Sequence, residues 1–276
     1  MELTVGMFLL IFALAFLYEM IDSSIGMGYG TLLTPTLLIM GFEPLICVPA
    51  VLLSQAFGGL IASLFHHRFE NVSFHPASQD FKIASVITLF GMFATILAAL
   101  IAIKIPKTAL NTYIGLLVLT MGVIILRNQS FSFSWKKMMG IGILSAFNKG
   151  LSGGGFGPVV TAGQILAGQE HKRAIGVTTL AEAPICIMSF LTYVFAKMAA
   201  ESSESIFSMP VTQFTATLFS NTILNWPLTI ALILGSVMVA PFGPLVTRIL
   251  KKEYLHYILG IAIIVLGGWT LYKTWF

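Results

Sequence analysis

The sequence predicts an all-α polytopic membrane protein with about 8–10 transmembrane segments arranged in two homologous halves. Its residues are 57% hydrophobic and only 9% charged, whereas soluble domains carry about 25% charged residues. Apolar runs of about 20 residues, the length that crosses a bilayer as a helix, recur from end to end. Two glycine-rich segments interrupt these runs at corresponding positions, which predicts a duplicated chain with broken or re-entrant helices.

The first half, residues 1–127, opens on an apolar span at residues 3–22. Glu2 precedes this span, and neither a basic segment nor a small-residue cleavage site accompanies it, so we expect a retained helix and not a signal peptide. The polar residues 22–24 and the glycines of 26–30 end the span. Further apolar runs cover residues 31–40, 45–65, 83–103 and 109–126.

A polar connection at residues 128–137 separates the halves, and the pattern restarts in the second half, residues 138–276. The first apolar run of this half ends at 148–158, a segment with five glycines and one charge. Irregular backbone at membrane depth is tolerated only where protein or a water-filled cavity surrounds it, so this break indicates a site. Apolar runs follow at residues 159–167, 175–195, 224–249 and 254–272.

The two breaks align without a gap when the chain is shifted by 127 positions. The matched positions are Gly26, Gly28 and Gly30 with Gly153, Gly155 and Gly157, and Tyr29 with Phe156. Towards the ends of the halves the shift grows to 144–145 and matches the basic turn 104–107 with 248–251. Chance self-alignment of glycine-rich sequence is the alternative, and the register of glycines, aromatics and basic turns favours duplication.

Two topologies are open for the short runs 31–40 and 159–167. If these runs re-enter, each half has four crossings, and the lysines and arginines other than Lys149 divide seven against seven. If they cross as short helices, each half has five crossings and the division is ten against four. The second topology satisfies the positive-inside rule and makes the repeats inverted, with both termini outside, so we favour it.

The breaks have the composition of a small-anion site. Glycines leave backbone N–H groups uncovered, and helices starting at Thr31 and Val159, with Pro158 at a first helical position, would point N–H groups and positive dipole ends at an oxyanion. Lys149 adds a full positive charge. Close helix packing by small residues is the alternative explanation for the glycines. The predicted substrate-binding residues are Gly26, Gly28, Tyr29, Gly30, Asn148, Lys149, Ser152, Gly153, Gly154, Gly155, Phe156 and Thr161.

Placing an ionisable residue in a membrane span costs free energy, so ionisable residues within the apolar runs indicate function. In this sequence they are Glu19, Asp22, Lys149 and Glu182. Asp22 aligns with Lys149, and the two are expected either to neutralise each other or to act separately. Glu182 aligns with Gln55, and a cavity-facing Glu182 would couple anion movement to a proton or sodium ion, whereas a Glu182 near the membrane surface would only be solvated. Asp22, Gln55 and Glu182 are the predicted coupling or gating residues.

Other classes of protein do not fit the sequence. No Lys/Arg cluster suggests nucleic acid, the histidines lack metal-ligand spacing, and no cofactor motif or catalytic set lies in the spans, so we expect no metal, no cofactor and no enzyme activity. Gly28-Tyr29-Gly30 lacks the Thr-Val that precedes it in a potassium filter. A structural membrane protein is a further alternative.

The two breaks resemble those of the TauE/SafE sulfite exporter family. The resemblance rests on the Gly-x-Gly-x-Gly pattern with Pro35, Gly41 and Pro44, and on Leu151–Pro158 followed by Gly168 and residues 174–178. It implies a multi-pass permease of the bacterial cytoplasmic membrane that exports a small anion such as sulfite or sulfoacetate. We therefore predict a secondary transporter of a small, sulfur-containing anion in a lipid bilayer. A passive anion channel is the alternative, and the sequence does not predict the oligomeric state.

Overall fold

A computed structural model describes residues 3–126, 134–201, 210–219, 224–249 and 253–276. Within these ranges every regular element is a helix, which confirms the predicted all-α class. The first half contains α1 (Val5–Ile25), α2 (Tyr29–Ile39), α3 (Pro44–Arg68), α4 (Gln79–Lys104) and α5 (Lys107–Leu126). The second contains α6 (Trp135–Ser152), α7 (Phe156–Leu166), α8 (His171–Glu201), α9 (Val211–Leu218), α10 (Trp226–Val239), α11 (Gly243–Ile249) and α12 (Glu253–Trp275).

Among the described residues, five helices are long and apolar enough to cross a membrane: α1, α3, α4, α5 and α8. The pair α10 and α11 makes a sixth if it is counted as one bent span. Large apolar side chains such as Leu64 and Phe93, each 66% exposed, cover the outside of the bundle where lipid would lie. The prediction of a multi-pass membrane protein is therefore confirmed.

The predicted continuous span 224–249 is wrong, because the chain bends by 43° between α10 and α11. Pro241 lies in the three-residue break and has no N–H to continue the helical hydrogen bonds. The second helix restarts at Gly243-Pro244, where a proline in the first turn costs no hydrogen bond.

The short helices begin earlier than predicted, at Tyr29 and Phe156 and not at Thr31 and Val159. The Asp22 carboxylate accepts the N–H of Tyr29 at 3.0 Å and so fixes the start of α2. Gly155 precedes α7 with a φ of +79°, a conformation that glycine adopts without strain. Pro158 is consequently the third residue of α7, and it still lies in the first turn, where an N–H has no intrahelical partner.

The two glycine breaks cross each other in direct backbone contact. A β-carbon on Gly30 would overlap the carbonyl oxygen of Gly153, and one on Gly157 would lie 2.5 Å from the carbonyl oxygen of Gly26. Two hydrogen bonds tie the breaks together. The N–H of Gly155 donates to Thr31 Oγ1 at 3.0 Å, and Thr161 Oγ1 donates to the carbonyl of Gly26 at 2.7 Å. The glycines are therefore needed for this crossing.

Several helix contacts come in equivalent pairs. Replacing each helix by its counterpart in the other half turns one contact of the pair into the other. The packing of α1 on α10 matches that of α6 on α4, and α3 on α10 matches α8 on α4. The contacts α3–α8 and α5–α12 each join two equivalent helices. This pattern is what a duplicated fold predicts. The division into 1–127, 128–137 and 138–276 stays a prediction, since residues 127–133 lie outside the described ranges.

Helix ends collect on two faces of the bundle. At the Glu43 face, Glu43 before α3 pairs with Lys107 at the start of α5 (2.9 Å), and Lys273 near the end of α12 donates to the Ile39 carbonyl at the end of α2. This face thus carries the end of α2 as well as the start of α3.

At the opposite, Asn71 face, Asn71 after α3 donates to the Pro244 carbonyl of α11 at 2.9 Å. His66 near the end of α3 contacts the Ser23 carbonyl near the end of α1 at 2.9 Å. With 21 residues, α1 is about 31 Å long and can span a bilayer core. It ends towards the Asn71 face, and the shorter α2 ends at the Glu43 face. A passage of α2 through the membrane stays a prediction. The inverted relation of the halves itself stays a prediction.

Substitution of Gly30 by alanine should destabilise the protein because the added methyl group has no space at the crossing. We expect Gly30→Ala to lower the free energy of unfolding by about 1–3 kcal/mol, seen as a lower midpoint of thermal unfolding in detergent. Gly140→Ala in α6 is the control, since a β-carbon there meets no atom within 4 Å. Equal stability of the two variants would contradict the tight crossing.

Candidate functional site

Four polar residues, one from each of four helices, meet beside the crossing. Lys149 of α6 forms an ion pair with Glu182 of α8, with 2.8 Å between Nζ and Oε1. The same ammonium group donates to Gln55 Oε1 of α3. Gln55 in turn donates through Nε2 to Asp22 Oδ2 of α1 at 3.3 Å. We call these four residues, Asp22, Gln55, Lys149 and Glu182, the central cluster.

The central cluster contains two equivalent contacts, one from each half of the chain. Asp22 and Gln55 of the first half occupy the positions that Lys149 and Glu182 occupy in the second, and each half contributes one such contacting pair. The bond from Lys149 to Gln55 joins the halves. The three predicted coupling residues therefore lie together with the predicted anion-binding lysine.

Of the two alternatives for Asp22 and Lys149, the structure shows no direct ion pair between them in the described part of the chain. Lys149 takes Glu182 as its ionic partner, and Gln55 stands between it and Asp22. Alignment therefore identified equivalent positions, which need not be in contact.

The ion pair of the central cluster is almost completely withdrawn from solvent, with side-chain exposures of 1% for Lys149 and 6% for Glu182. Charges at such a site are tolerated only when they are paired and hydrogen-bonded. Lys149 is also next to the start of α2, since a β-carbon on Gly30 would lie 3.0 Å from its Nζ atom. The ammonium group thus lies against the crossing itself.

The remaining predicted residues surround the crossing with different roles. Ser152 Oγ accepts the N–H of Gly154 at 3.0 Å, and Asn148 Oδ1 accepts the hydroxyl of Tyr113 at 2.6 Å. Tyr29 is fully buried and shares a 2.7 Å hydrogen bond with Ser54, while the Phe156 ring packs in an apolar cluster. In this conformation both aromatic residues therefore brace the breaks, and their rings face packed protein.

Thr34 is a site residue that the sequence analysis did not select. It is fully buried, and its Oγ1 has no hydrogen-bond partner in the described part of the chain. A β-carbon on Gly153 would lie 2.8 Å from this oxygen, just as one on Gly26 would lie 2.7 Å from Thr161 Oγ1. The alignment of Thr34 with the selected Thr161 was the signal that could have identified it.

The cavities found at the surface do not reach the central cluster. One of about 190 Å³ lies at the Glu43 face, between the ends of α2 and α12. The other, of about 460 Å³, opens at the Asn71 face. Its polar lining consists of Glu70, Asn71, Glu170, His171, Lys172, Thr247 and Arg248. Neither of these two cavities is lined by a residue of the central cluster or of the glycine breaks.

Comparison with known proteins adds a family match and one curated relative. The family model for "Sulfite exporter TauE/SafE" matches residues 11–270, which include both breaks and the whole central cluster. The "Probable membrane transporter protein YtnM" of Bacillus subtilis (strain 168) is 22% identical over 280 residues, covering 97% of this chain and 84% of that protein. No solved structure matches the chain.

Removing the charge of Lys149 should lower the free energy of unfolding far more than removing the charge of an exposed lysine. Lys149→Met leaves Glu182 buried without a partner, which should lower the free energy of unfolding by about 3–5 kcal/mol. Lys107→Met is the matched control, because its pair with Glu43 is more than half exposed and contributes at most about 1 kcal/mol.

The double change Lys149→Met with Glu182→Leu removes both charges and should recover much of the lost stability. Thermal unfolding of the wild type, both single variants and the double variant in detergent measures the coupling. Additive effects of the two single changes would show that the pair contributes no shared stability.

Proposed function

The chain belongs to the sulfite exporter TauE/SafE family, and we propose that it is a secondary transporter that exports a small, sulfur-containing anion such as sulfite or an organosulfonate. The observation that carries the proposal is a fully buried lysine at the crossing of two broken helices. A permanent positive charge at membrane depth is rare and marks a substrate or ion pathway. The proposal assigns transport to the chain and no catalytic step.

The ammonium group of Lys149 has donor capacity that its protein partners do not exhaust. It carries three N–H donors, and Glu182 and Gln55 accept one each. No acceptor for the third occurs in the ranges that the structure describes. A bound oxyanion would accept this hydrogen bond, and it would be charge-assisted and therefore strong.

The surrounding groups suit an oxyanion with several oxygen atoms. The starts of α2 and α7 present backbone N–H groups and positive dipole ends at the crossing. The unpartnered hydroxyl of Thr34 adds a donor beside Gly153. Sulfite and sulfonate groups carry three oxygens, which such convergent donors can satisfy together.

The tight backbone contact at the crossing supports an occluded state of a transporter. Because the breaks touch, an anion can enter only if the short helices move apart towards one face. We propose that inverted halves, residues 1–127 and 138–276, open the crossing alternately to the Glu43 and Asn71 faces. The carboxylates Asp22 and Glu182, linked through Gln55 to Lys149, support coupling of this movement to a proton or sodium ion.

Basic residues support an orientation in a bacterial cytoplasmic membrane. Among the described residues, seven lysines and arginines lie at helix ends of the Asn71 face, and four lie at the Glu43 face. The former are Arg68, Lys82, Lys136, Lys137, Lys172, Arg173 and Arg248, and the latter are Lys104, Lys107, Lys197 and Lys273. The positive-inside rule then assigns the Asn71 face, with its larger cavity, to the cytoplasm.

The proposed substrate class is tested with purified protein in liposomes. We expect sulfite or an organosulfonate to raise the unfolding temperature in detergent and to cross the membrane of protein-containing vesicles, with chloride inactive. The panel is sulfite, sulfate, thiosulfate, sulfoacetate and chloride, with protein-free liposomes as control. Uphill movement under a pH gradient or sodium gradient would separate a transporter from a passive channel. The proposal fails if no anion of the panel binds or moves.

Thr34→Val tests the anion site without disturbing the fold. Valine has nearly the same shape as threonine, and the Thr34 hydroxyl gives up no protein hydrogen bond in this structure. Stability should therefore be unchanged or higher, while sulfite affinity falls about three- to tenfold, because one hydrogen bond to the anion is lost. Thr192→Val is the control, since its hydroxyl bonds only to the Met188 carbonyl on the same helix. Unaltered sulfite affinity in Thr34→Val would show that the Thr34 hydroxyl does not bind the anion.

A further inference from the structure

Glu19 is a buried carboxyl group that neither the central cluster nor the proposed anion site uses. It lies on α1, is 1% exposed, and its Oε2 has no hydrogen-bond partner in the described part of the chain. The carboxyl carbon packs against Gly58 of α3, where a β-carbon would lie 3.1 Å from it. Ser236 of α10 borders the same glycine. Glu19 is therefore enclosed by three helices.

The charges near Glu19 do not balance. Three carboxyl groups, Glu19, Asp22 and Glu182, share the electrostatic environment of one ammonium group, that of Lys149. Glu182 takes Lys149 as its partner, and Asp22 accepts hydrogen bonds from the Tyr29 N–H and from Gln55. Glu19 has neither kind of compensation at Oε2. A buried carboxyl group without a partner is held neutral by a proton, because its ionised form is too poorly solvated.

We propose that Glu19 binds the proton that this transporter couples to anion movement, an inference that rests on the proposed function. The proton binds at Oε2 and is released from the same atom after the crossing opens to the other face. An anion beside Lys149 adds negative charge, which disfavours ionised Glu19 in a low-dielectric site. Anion and proton therefore favour each other's binding and cross the membrane in the same direction, so export of the anion down its own outward gradient carries a proton out with it.

Several helices around Glu19 carry groups that can alter its protonation. α10 carries no titratable side chain, and Arg248 of α11 lies at the larger cavity. The titratable groups near Glu19 include Asp22 on α1, Tyr29 on α2, His66 on α3, Lys149 on α6, and Glu182 and Cys186 on α8. Negative charge on Asp22 and Glu182 disfavours a third negative charge on Glu19, whereas the positive charge of Lys149 favours it.

His66 fastens α3 to α1 beside Glu19. Asn71 donates through the same Nδ2 atom to the Pro244 carbonyl (2.9 Å) and to His66 Nδ1 (3.2 Å). The Nε2 atom of His66 lies 2.9 Å from the Ser23 carbonyl.

The larger cavity adjoins the end of α1, the helix that carries Glu19. Thr247 and Asn71 line it, and Thr247 donates to the Ser24 carbonyl at the end of α1 at 3.0 Å. Ser23, the residue before Ser24, donates to the backbone carbonyl of Glu19 at 2.6 Å, one helical turn away. A proton needs only one lone pair, whereas a metal cation needs several converging oxygens, so the single unpartnered oxygen favours a proton.

Glu19→Gln separates coupling from anion movement in sulfite-loaded proteoliposomes. Under a gradient of about one pH unit, coupling to one proton supports about tenfold accumulation. We expect this accumulation in the wild type, its loss in Glu19→Gln, and retention of sulfite exchange in the variant. Glu43→Gln is the matched control, since that glutamate is 58% exposed, and it should accumulate sulfite like the wild type. Protonation of sulfite itself is the same for all three proteins and cancels in the comparison.

Two results would overturn the assignment of Glu19: gradient-driven accumulation that survives in Glu19→Gln, or accumulation in the wild type that requires sodium and ignores pH. Absence of sulfite exchange in the wild type would instead count against the proposed function. Thermal unfolding gives a separate readout, because glutamine has the shape of a protonated glutamate. Glu19→Gln should unfold at the wild-type temperature or above it, and a clearly lower temperature, or failure to fold, would also overturn the assignment.

Discussion

The interior of this protein is arranged around one ammonium group, that of Lys149, which needs hydrogen-bond acceptors in place of water. Lys149 can remain charged at membrane depth only because Glu182 and Gln55 supply acceptors from two other helices. Those acceptors fix how α3 and α8 face α6. The start of α2 lies beside the same ammonium group, so the central cluster and the crossing share one border.

The second constraint is steric, and it acts at the same place. The backbones of the two breaks approach so closely that Gly30 and Gly154 leave no room for side chains. Close approach exposes N–H groups and carbonyls that Thr31 and Thr161 then satisfy across the crossing. Charge compensation and backbone contact thus reinforce each other, since separating the breaks would disturb both.

The helical class, the two breaks and the gathering of Asp22, Gln55, Lys149 and Glu182 near one site followed from composition, glycine spacing and alignment. Their pairing did not follow, because a linear alignment carries no information on which equivalent side chains point at each other. The bend at Pro241 was missed because apolar composition alone suggested one span. The start of α2 depends on a capping bond from Asp22, seven residues earlier, and such a bond is visible only after folding.

The paired contacts of the central cluster have a consequence for the origin of the chain. In an assembly of two identical subunits, the positions now held by Asp22 and Lys149 would carry the same side chain, and so would those of Gln55 and Glu182. Such an assembly would face two like charges across its axis. One acidic and one basic copy require two sequences that change separately, and the two halves of one polypeptide provide them. Under the predicted duplication, the opposite charges at equivalent positions arose after the two halves diverged.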